Sequence, residues 1–482
     1  MQTFESVPFE SGFLVAGEWI TTGQRVEIKS PYSGKSIGST WVGTRKNLES
    51  AISAAQDSSA ELRQIPAYKR KDALLSVAAK IREHKDIFVH LTVLEAGKPV
   101  KAARAEVDRA VLTFTTAAEE AVRIYGEYMP LDFIPATESR WGIVRRFPVG
   151  PIAAITPFNF PLNLVAHKLA PAMAAGCPVV LKPAPQTPFC ALLLGKLILE
   201  SGWPASALSI LPLSNDDAAS LVADERLKLL SFTGSAKVGW QLKRDAGKKR
   251  VVLELGGNAA VIIHNDAAID HAAARCTSGA FTYAGQSCIS VQRILVHAAI
   301  FDEFTAKMVE AAAKLRVGDP SDETTDVGPM IRASDVKRVQ QWIKEAVSGG
   351  AKVLCGGTAK GSFIMPTLLS ATTPKMKVNC EEIFAPVATI EPYEDFDDAL
   401  ARSNDSQYGL QAGLFTHDSR RILRAFERLE VGGVIVDDVP TFRVDPMPYG
   451  GVKDSGLGRE GIRYAIEEMT ERRLLVMTGS KS

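Results

Sequence analysis

From about residue 150 the chain alternates short apolar runs with longer amphipathic ones, and this rhythm restricts its fold more than any other feature. Pro151–Thr156, Pro178–Leu181, Leu208–Leu211, Leu227–Phe232 and Val251–Leu253 read as strands. Leu162–Ala175, Phe189–Ser201 and Ala218–Asp224 read as the helices between them. Strands separated by helices do not form tight hairpins; they pair in parallel through right-handed crossovers, with both faces of the sheet covered. A second α/β series starts near Asn258, with strands predicted at Ala259–Ile263, Ser290–Val296 and Ala388–Tyr393. Its predicted helices are Ala268–Gly285, Ile300–Lys314 and Ala333–Ser348. Residues 46–125 carry apolar positions at helix spacing. The expected fold class is α/β. Two segments, Glu138–Arg146 and Arg472–Met477, fit neither series and read as cation-bearing edge strands, paired within the chain or across subunits.

A length of 482 residues exceeds one ordinary core and implies two or three domains. The 46% hydrophobic and 23% charged residues are those of a globular chain, which argues against disordered and collagen-like classes. Lys plus Arg (56) nearly cancels Asp plus Glu (55), so no global field draws the chain to nucleic acid or an anionic membrane. The Met1–Glu5 start lacks the basic-then-apolar layout of a signal peptide, and no apolar run is long enough to span a bilayer. The six cysteines are scattered without a C-x-x-C pair, which points to a reducing, cytoplasmic setting rather than a disulfide framework. The seven histidines are equally dispersed, and no metal site is expected.

Two segments carry chemistry. Tyr283-Ala284-Gly285-Gln286-Ser287-Cys288-Ile289 offers a thiol in a glycine-containing turn after an Ala-rich run. Leu253-Glu254-Leu255-Gly256-Gly257-Asn258 offers a carboxylate at the end of an apolar strand. A nucleophile and a candidate general base point to covalent catalysis, although a small core cysteine and a solvated strand-end Glu are the plain alternatives. Cys177 and Cys190 sit beside apolar residues and read as core. Asn159, in a turn after the first strand, either bonds its own backbone or gives its amide N–H to an oxyanion, with the Cys288 backbone N–H as the second donor. Phe232-Thr233-Gly234-Ser235 ends a strand and opens a helix, where Gly234 lets a ligand approach and Ser235 and the helix N-terminus can donate to a pyrophosphate. Lys182 would stand at the carboxyl edge of the same sheet, as a ligand or as a surface lysine. Gly456-Leu457-Gly458-Arg459-Glu460-Gly461 formally matches the dinucleotide fingerprint, but no buried strand feeds it and too little chain follows.

Taken in order, these pieces resemble the aldehyde dehydrogenase superfamily. Thr156-Pro157-Phe158-Asn159-Phe160-Pro161 matches its oxyanion-Asn motif, Leu181-Lys182-Pro183 its ribose-binding Lys-Pro, and Phe232-Thr233-Gly234-Ser235 with Gly239 its pyrophosphate turn. Glu254-Leu255-Gly256-Gly257-Asn258 is similar to the general-base motif and Gly285-Gln286-Ser287-Cys288 to the nucleophile motif. Glu381-Glu382-Ile383-Phe384-Ala385-Pro386-Val387 resembles the segment whose second Glu binds the nicotinamide ribose, and Met447–Gly456 the C-terminal signature. The resemblance runs from about residue 15 to the C-terminus.

The resemblance implies a Rossmann-like cofactor domain (residues 1–125 and 146–256), a catalytic α/β domain (257–454) and a small bridging β unit (126–145 and 455–482) that builds homodimers or homotetramers. It implies NAD or NADP as cofactor, contacted by Thr156, Pro157, Phe158, Lys182, Ala184, Pro185, Gly234, Ser235, Val238, Leu255, Gly256, Glu382 and Phe384. It implies oxidation of an aldehyde through a thioester on Cys288, with Asn159 at the alkoxide and Glu254 activating water. A water-activating Glu favours release of a free acid over the alternative, acyl transfer to coenzyme A. NAD-preferring relatives often carry a Glu where Pro185 stands, so the 2′-phosphate of NADP meets no carboxylate there. Asp437 replaces the family's common Asn, a change the sequence does not explain. Val439–Asp445 resembles the lactaldehyde and non-phosphorylating glyceraldehyde-3-phosphate branch. Arg104, Arg109, His167 and Arg443 fall in segments resembling the substrate tunnel, and are either ligands of a small oxygenated or anionic aldehyde or surface cations.

Overall fold

The computed structural model describes residues 7–479; the Met1–Glu5 stretch lies outside them. The five strands of the first series form a parallel core: Leu208–Ile210, Val179–Lys182, Ile152–Ile155, Leu229–Thr233 and Arg250–Glu254, in that spatial order. Ile152–Ile155 and Val179–Lys182 are buried at every position, which is why they read as unbroken apolar runs instead of alternating ones. The chain winds outward from Ile152–Ile155 in one direction and then in the other. The order therefore reverses between Ile152–Ile155 and Leu229–Thr233, the place where open α/β sheets bind ligands. Antiparallel additions complete eight strands: Phe13–Val15 and Glu18–Ile20 at one edge and Gly456–Leu457 at the other.

A second, seven-stranded sheet follows the order Lys352–Cys355, Thr367–Ser370, Val387–Tyr393, Val291–His297, Ala259–Ile263, Gln411–Phe415 and Gly433–Val436, parallel except for the first strand. Only residues 255–258 separate its strand Ala259–Ile263 from Arg250–Glu254 of the first sheet. The two basic segments left over by the sequence pair with each other within the chain, Arg140–Pro148 against Thr470–Thr478, with Glu127–Pro130 beyond. The 455–482 segment is not uniform: Gly456–Leu457 joins the first sheet, and the three-stranded unit takes only Thr470–Thr478. The formal fingerprint is thus a short antiparallel edge strand, as its missing upstream strand implied.

Helix Asn163–Ala175 is buried at every position, packed against helices Val100–Ala121 and Ile462–Glu468. Its first amides are satisfied by a side chain from elsewhere: Glu106 Oε1 accepts from Leu162 N (3.0 Å) and Asn163 N (3.1 Å). The other Glu106 oxygen pairs with buried Lys98, whose Nζ also stands 3.6 Å from the centre of the Phe160 ring and 4.4 Å from that of Tyr283. Glu106→Ala strands the Lys98 charge and two backbone donors, a loss of about 3–5 kcal/mol. The midpoint of chemical unfolding should fall accordingly and recover partly when Lys98→Met is added. An unchanged midpoint in the single variant contradicts this account.

Candidate active site

The predicted helix Ala268–Gly285 ends early, at Phe281, because the next turn reverses its handedness. Tyr283 (φ 54°), Ala284 (φ 53°) and Gly285 (φ 63°) are successive left-handed residues. For non-glycine residues such conformations cost about 1–3 kcal/mol each and persist only where the surroundings enforce them. A Cβ on Gly285 would lie 2.2 Å from the Ala385 carbonyl oxygen. The next residue, Gln286, is buried; its Nε2 donates to the Pro329 carbonyl (3.3 Å) and its Oε1 accepts from Ile331 N (2.9 Å). This strained turn, pinned on both sides, delivers Cys288 just ahead of strand Val291–His297. Gly257 passes so close that a Cβ there would stand 2.3 Å from the Cys288 carbonyl oxygen.

Cys288, Glu254 and Asn159 all face one cavity of about 760 Å³ between the two sheets. The Asn159 Nδ2 donates to the Gln286 carbonyl (3.0 Å), which orients the amide and leaves its second N–H for another acceptor. Cys288 Sγ is 3.0 Å from the Tyr449 hydroxyl. Burial pushes the Cys288 thiol up to about 11, with Tyr449 and Arg443 pulling the other way. Glu254 is buried, and neither carboxyl oxygen has a hydrogen-bond partner among the described residues. Burial first, then the nearby Glu460 charge, raises it well above the ordinary carboxyl range.

Beside these groups lies a chain of buried charges. Arg443 donates to Glu460 Oε2 (3.0 Å) and lies 2.8 Å from His167 Nδ1. His167 Nε2 meets Asp445 Oδ1 (3.1 Å), which also accepts from Arg109 Nε and an Arg109 terminal nitrogen (3.1 Å each). Lys168 Nζ donates to Ser231 Oγ (2.9 Å) and Glu460 Oε1 (3.4 Å). Burial alone would raise Glu460 and Asp445. Lys168, His167 and Arg443 instead hold Glu460 well below the usual range, and His167 and Arg109 do the same for Asp445. Arg109 and Arg443 line the cavity, whereas His167 stands behind them. Arg104 belongs elsewhere: it is an exposed partner of Glu323 and does not reach the cavity, because its position on helix Val100–Ala121 faces outward. Asp437 takes a φ of 55°, a left-handed position that Asp and Asn tolerate alike, so the replacement of Asn is backbone-neutral.

Of the expected cofactor residues, Pro157, Phe158, Gly234, Ser235, Leu255, Gly256, Glu382 and Phe384 line the same cavity. Thr156 follows strand Ile152–Ile155 and Lys182 ends the neighbouring one, joined by a 3.1 Å bond from Thr156 N to the Lys182 carbonyl; Ala184 is buried just beyond and Pro185 exposed. Val238 is exposed on helix Ala236–Asp245, and these five do not line the cavity itself. The residues fit a dinucleotide. Ser235 begins its helix with no side-chain cap, leaving hydroxyl and amides for phosphate oxygens. Burial lowers the Lys182 ammonium with no compensating charge nearby. Burial pushes Glu382 up to about 7, and its bond from Gly257 N (3.0 Å) holds it facing the cavity. Lys98, Tyr449 and Glu460 also line the cavity but were not singled out as site residues by the sequence.

The aldehyde dehydrogenase family profile matches residues 19–475. The chain belongs to the aldehyde dehydrogenase family. A 3-sulfolactaldehyde dehydrogenase from Priestia aryabhattai is 44% identical over 467 residues, covering 97% of this chain and 98% of that one. A lactaldehyde dehydrogenase from Methanococcus aeolicus is 39% identical over 468 residues, with 96% and 99% covered. Among solved structures, aldehyde dehydrogenase 21 from Physcomitrella patens, in complex with the reaction product succinate, superposes with a TM-score of 0.96 at 44% identity over 98% of both chains. Glyceraldehyde-3-phosphate dehydrogenase GapN from Methanocaldococcus jannaschii, complexed with NADP, gives 0.92 at 37% identity over 95% of this chain and 100% of its own. The chain is thus an NAD(P)-dependent aldehyde dehydrogenase, and these relatives fit oxidation to a free acid better than acyl transfer to coenzyme A. Among the described residues no helix is long and apolar enough to cross a membrane.

Proposed function

We propose that this aldehyde dehydrogenase oxidises a small, oxygenated, anionic aldehyde, and that Arg109 and Arg443, facing the same cavity as Cys288, receive the anion. That shared cavity carries the reading. The sulfolactaldehyde relative and the succinate-bound structure point to the same substrate chemistry, a short chain with a negative group at the far end. His167 and Asp445 stand behind the arginines: His167 Nε2 meets Asp445 Oδ1, and Nδ1 lies beside both Arg443 and Glu460, which fixes where the guanidinium sits.

The Cys288 sulfur bonds the aldehyde carbon, and the Asn159 amide with the Cys288 backbone N–H holds the resulting alkoxide. The dinucleotide, when bound, supplies the hydride acceptor. The thioester left on Cys288 is cleaved by water whose proton passes to Glu254; the C–S electron pair returns to sulfur as the acid leaves. Gly234, Ser235, Lys182 and Glu382 hold the dinucleotide. With Pro185 exposed where a carboxylate would repel a 2′-phosphate, NADP is accepted as well as NAD. The eight-stranded sheet forms the cofactor domain and the seven-stranded sheet the catalytic one. Leu474, Leu475, Val476 and Met477 are exposed along Thr470–Thr478, an apolar edge that fits homodimer or homotetramer assembly in a reducing, cytoplasmic setting.

Turnover of propanal, lactaldehyde, succinate semialdehyde and sulfolactaldehyde with each cofactor tests the substrate reading. Anionic members should win, and Arg109→Gln should raise their KM about 10–100-fold more than it raises the KM for propanal. Equal loss for propanal would return the arginines to a structural role. Because Glu254 is raised, it works as a base only in the fraction that has lost its proton, so deacylation should quicken as pH climbs. Glu254→Gln should keep the first burst of reduced cofactor, slow the steady state and flatten that rise; loss of the burst as well would remove Glu254 from the water step.

A further inference from the structure

The Cys288 thiol, raised by burial, needs a partner to become a nucleophile. The candidate base, Glu254, has no hydrogen bond to the sulfur or to anything else among the described residues. What the sulfur does have is Tyr449, its hydroxyl 3.0 Å away. We infer that Tyr449 is a further catalytic residue, whose hydroxyl donates to the Cys288 sulfur and stabilises its thiolate as the thiol proton leaves. The inference rests on Cys288 being the nucleophile.

In the neutral pair either group can donate. Once the thiol proton leaves for solvent, sulfur can only accept, and the bond becomes a charge-assisted one from phenol to thiolate, stronger than its neutral form. Tyr449 keeps its own proton throughout, since burial raises the phenol well above its ordinary range. Arg443 strengthens the arrangement. Its guanidinium carbon lies 3.5 Å from the centre of the Tyr449 ring, and a cation on that face draws electron density from the ring and makes the phenol a better donor. The ring is also well placed to keep its aim. Tyr449 N donates to the Glu460 carbonyl (2.9 Å), Glu460 N donates back to Tyr449 (2.6 Å), and the side chain packs against Ile289 and Leu410. A phenylalanine would fill the same volume and lack only the donor.

The hydroxyl serves both halves of the reaction without being consumed. When the S–C bond forms, the sulfur lone pair that accepted from Tyr449 is spent on carbon and the hydroxyl is released. When the C–S bond breaks during hydrolysis, the pair returns to sulfur and the hydroxyl bonds it again, so the leaving thiolate is stabilised too. No electrons enter or leave through Tyr449.

The test is alkylation of Cys288 by iodoacetamide as a function of pH, read peptide by peptide by mass spectrometry in the full-length protein. Cys355 and Cys380, both partly exposed, are internal controls. Tyr449→Phe should move the midpoint for Cys288 upward and slow its alkylation at neutral pH about tenfold or more, with the controls unchanged. Site-specific 3,5-difluorotyrosine at 449, a stronger donor of nearly the same shape, should move the midpoint downward, and it serves if the Phe variant loses dinucleotide binding. Superimposable profiles for the wild type and either folded variant would overturn the inference. Cys288→Ser separates the two readings. If it retains turnover, the thioester chemistry itself fails; if it is inactive while Tyr449→Phe keeps the wild-type profile, only the Tyr449 assignment falls.

Discussion

The site depends on a set of charges that the fold takes out of water. Lys168 and His167 lie on helix Asn163–Ala175, which is buried at every position, so neither could be tolerated without partners from other segments. Glu460 answers Lys168 and Arg443, and Asp445 answers His167 and Arg109. Removing one member would leave another buried and unpaired, so the group holds its geometry as a unit. The same balance holds Glu460 low and, through its charge and burial, raises the nearby Glu254, whose carboxyl oxygens have no hydrogen-bond partner among the described residues. A buried framework thus fixes two cations on the cavity wall and raises the carboxyl of Glu254 beside them.

The two reactive groups meet because the sheets share one short connection. Glu254 ends the last parallel strand of the first sheet, and residues 255–258 carry the chain straight into the second. Cys288 returns to that junction through the left-handed turn at Tyr283–Gly285. The contact between Gly257 and the Cys288 carbonyl oxygen leaves no room for a side chain, so glycine there is a packing requirement. The reversal of strand order beside Ile152–Ile155 puts the turn Phe232–Ser235 and Asn159 at the same edge. One crevice can therefore hold a dinucleotide and an aldehyde together.

The sequence was most legible where a local rule applied. Ala259–Ile263 and Ala333–Ser348 lie where the apolar pattern places them, and the parallel order followed from the alternation of strand and helix. Motif-bearing residues such as Cys288, Glu254 and Glu382 converge on one cavity. Long-range features were not legible. Helix propensity over Ala-rich residues carried the expected helix on to Gly285, but Ala385 and Gln286 impose the opposite handedness from outside the segment. The antiparallel strands Phe13–Val15 and Glu18–Ile20 are too short to show a period. Arg104 and Arg109 sit on one helix and differ only in the face they present, which turns on the outward rotation of Arg104 toward Glu323. Tyr449 stood in a motif already noted, yet a hydroxyl aimed at a sulfur 161 positions away in the chain has no local signature.

The central claim is a covalent acyl group on one particular cysteine, and direct detection of that group tests it best. The protein would be mixed with a turned-over aldehyde and NAD(P), quenched in acid within milliseconds, digested and weighed. The account predicts a peptide containing Cys288 that is heavier by the acyl group, transient in the wild-type enzyme and absent when the dinucleotide is omitted. Steady turnover without that adduct, or an adduct on any of the other cysteines, would contradict it.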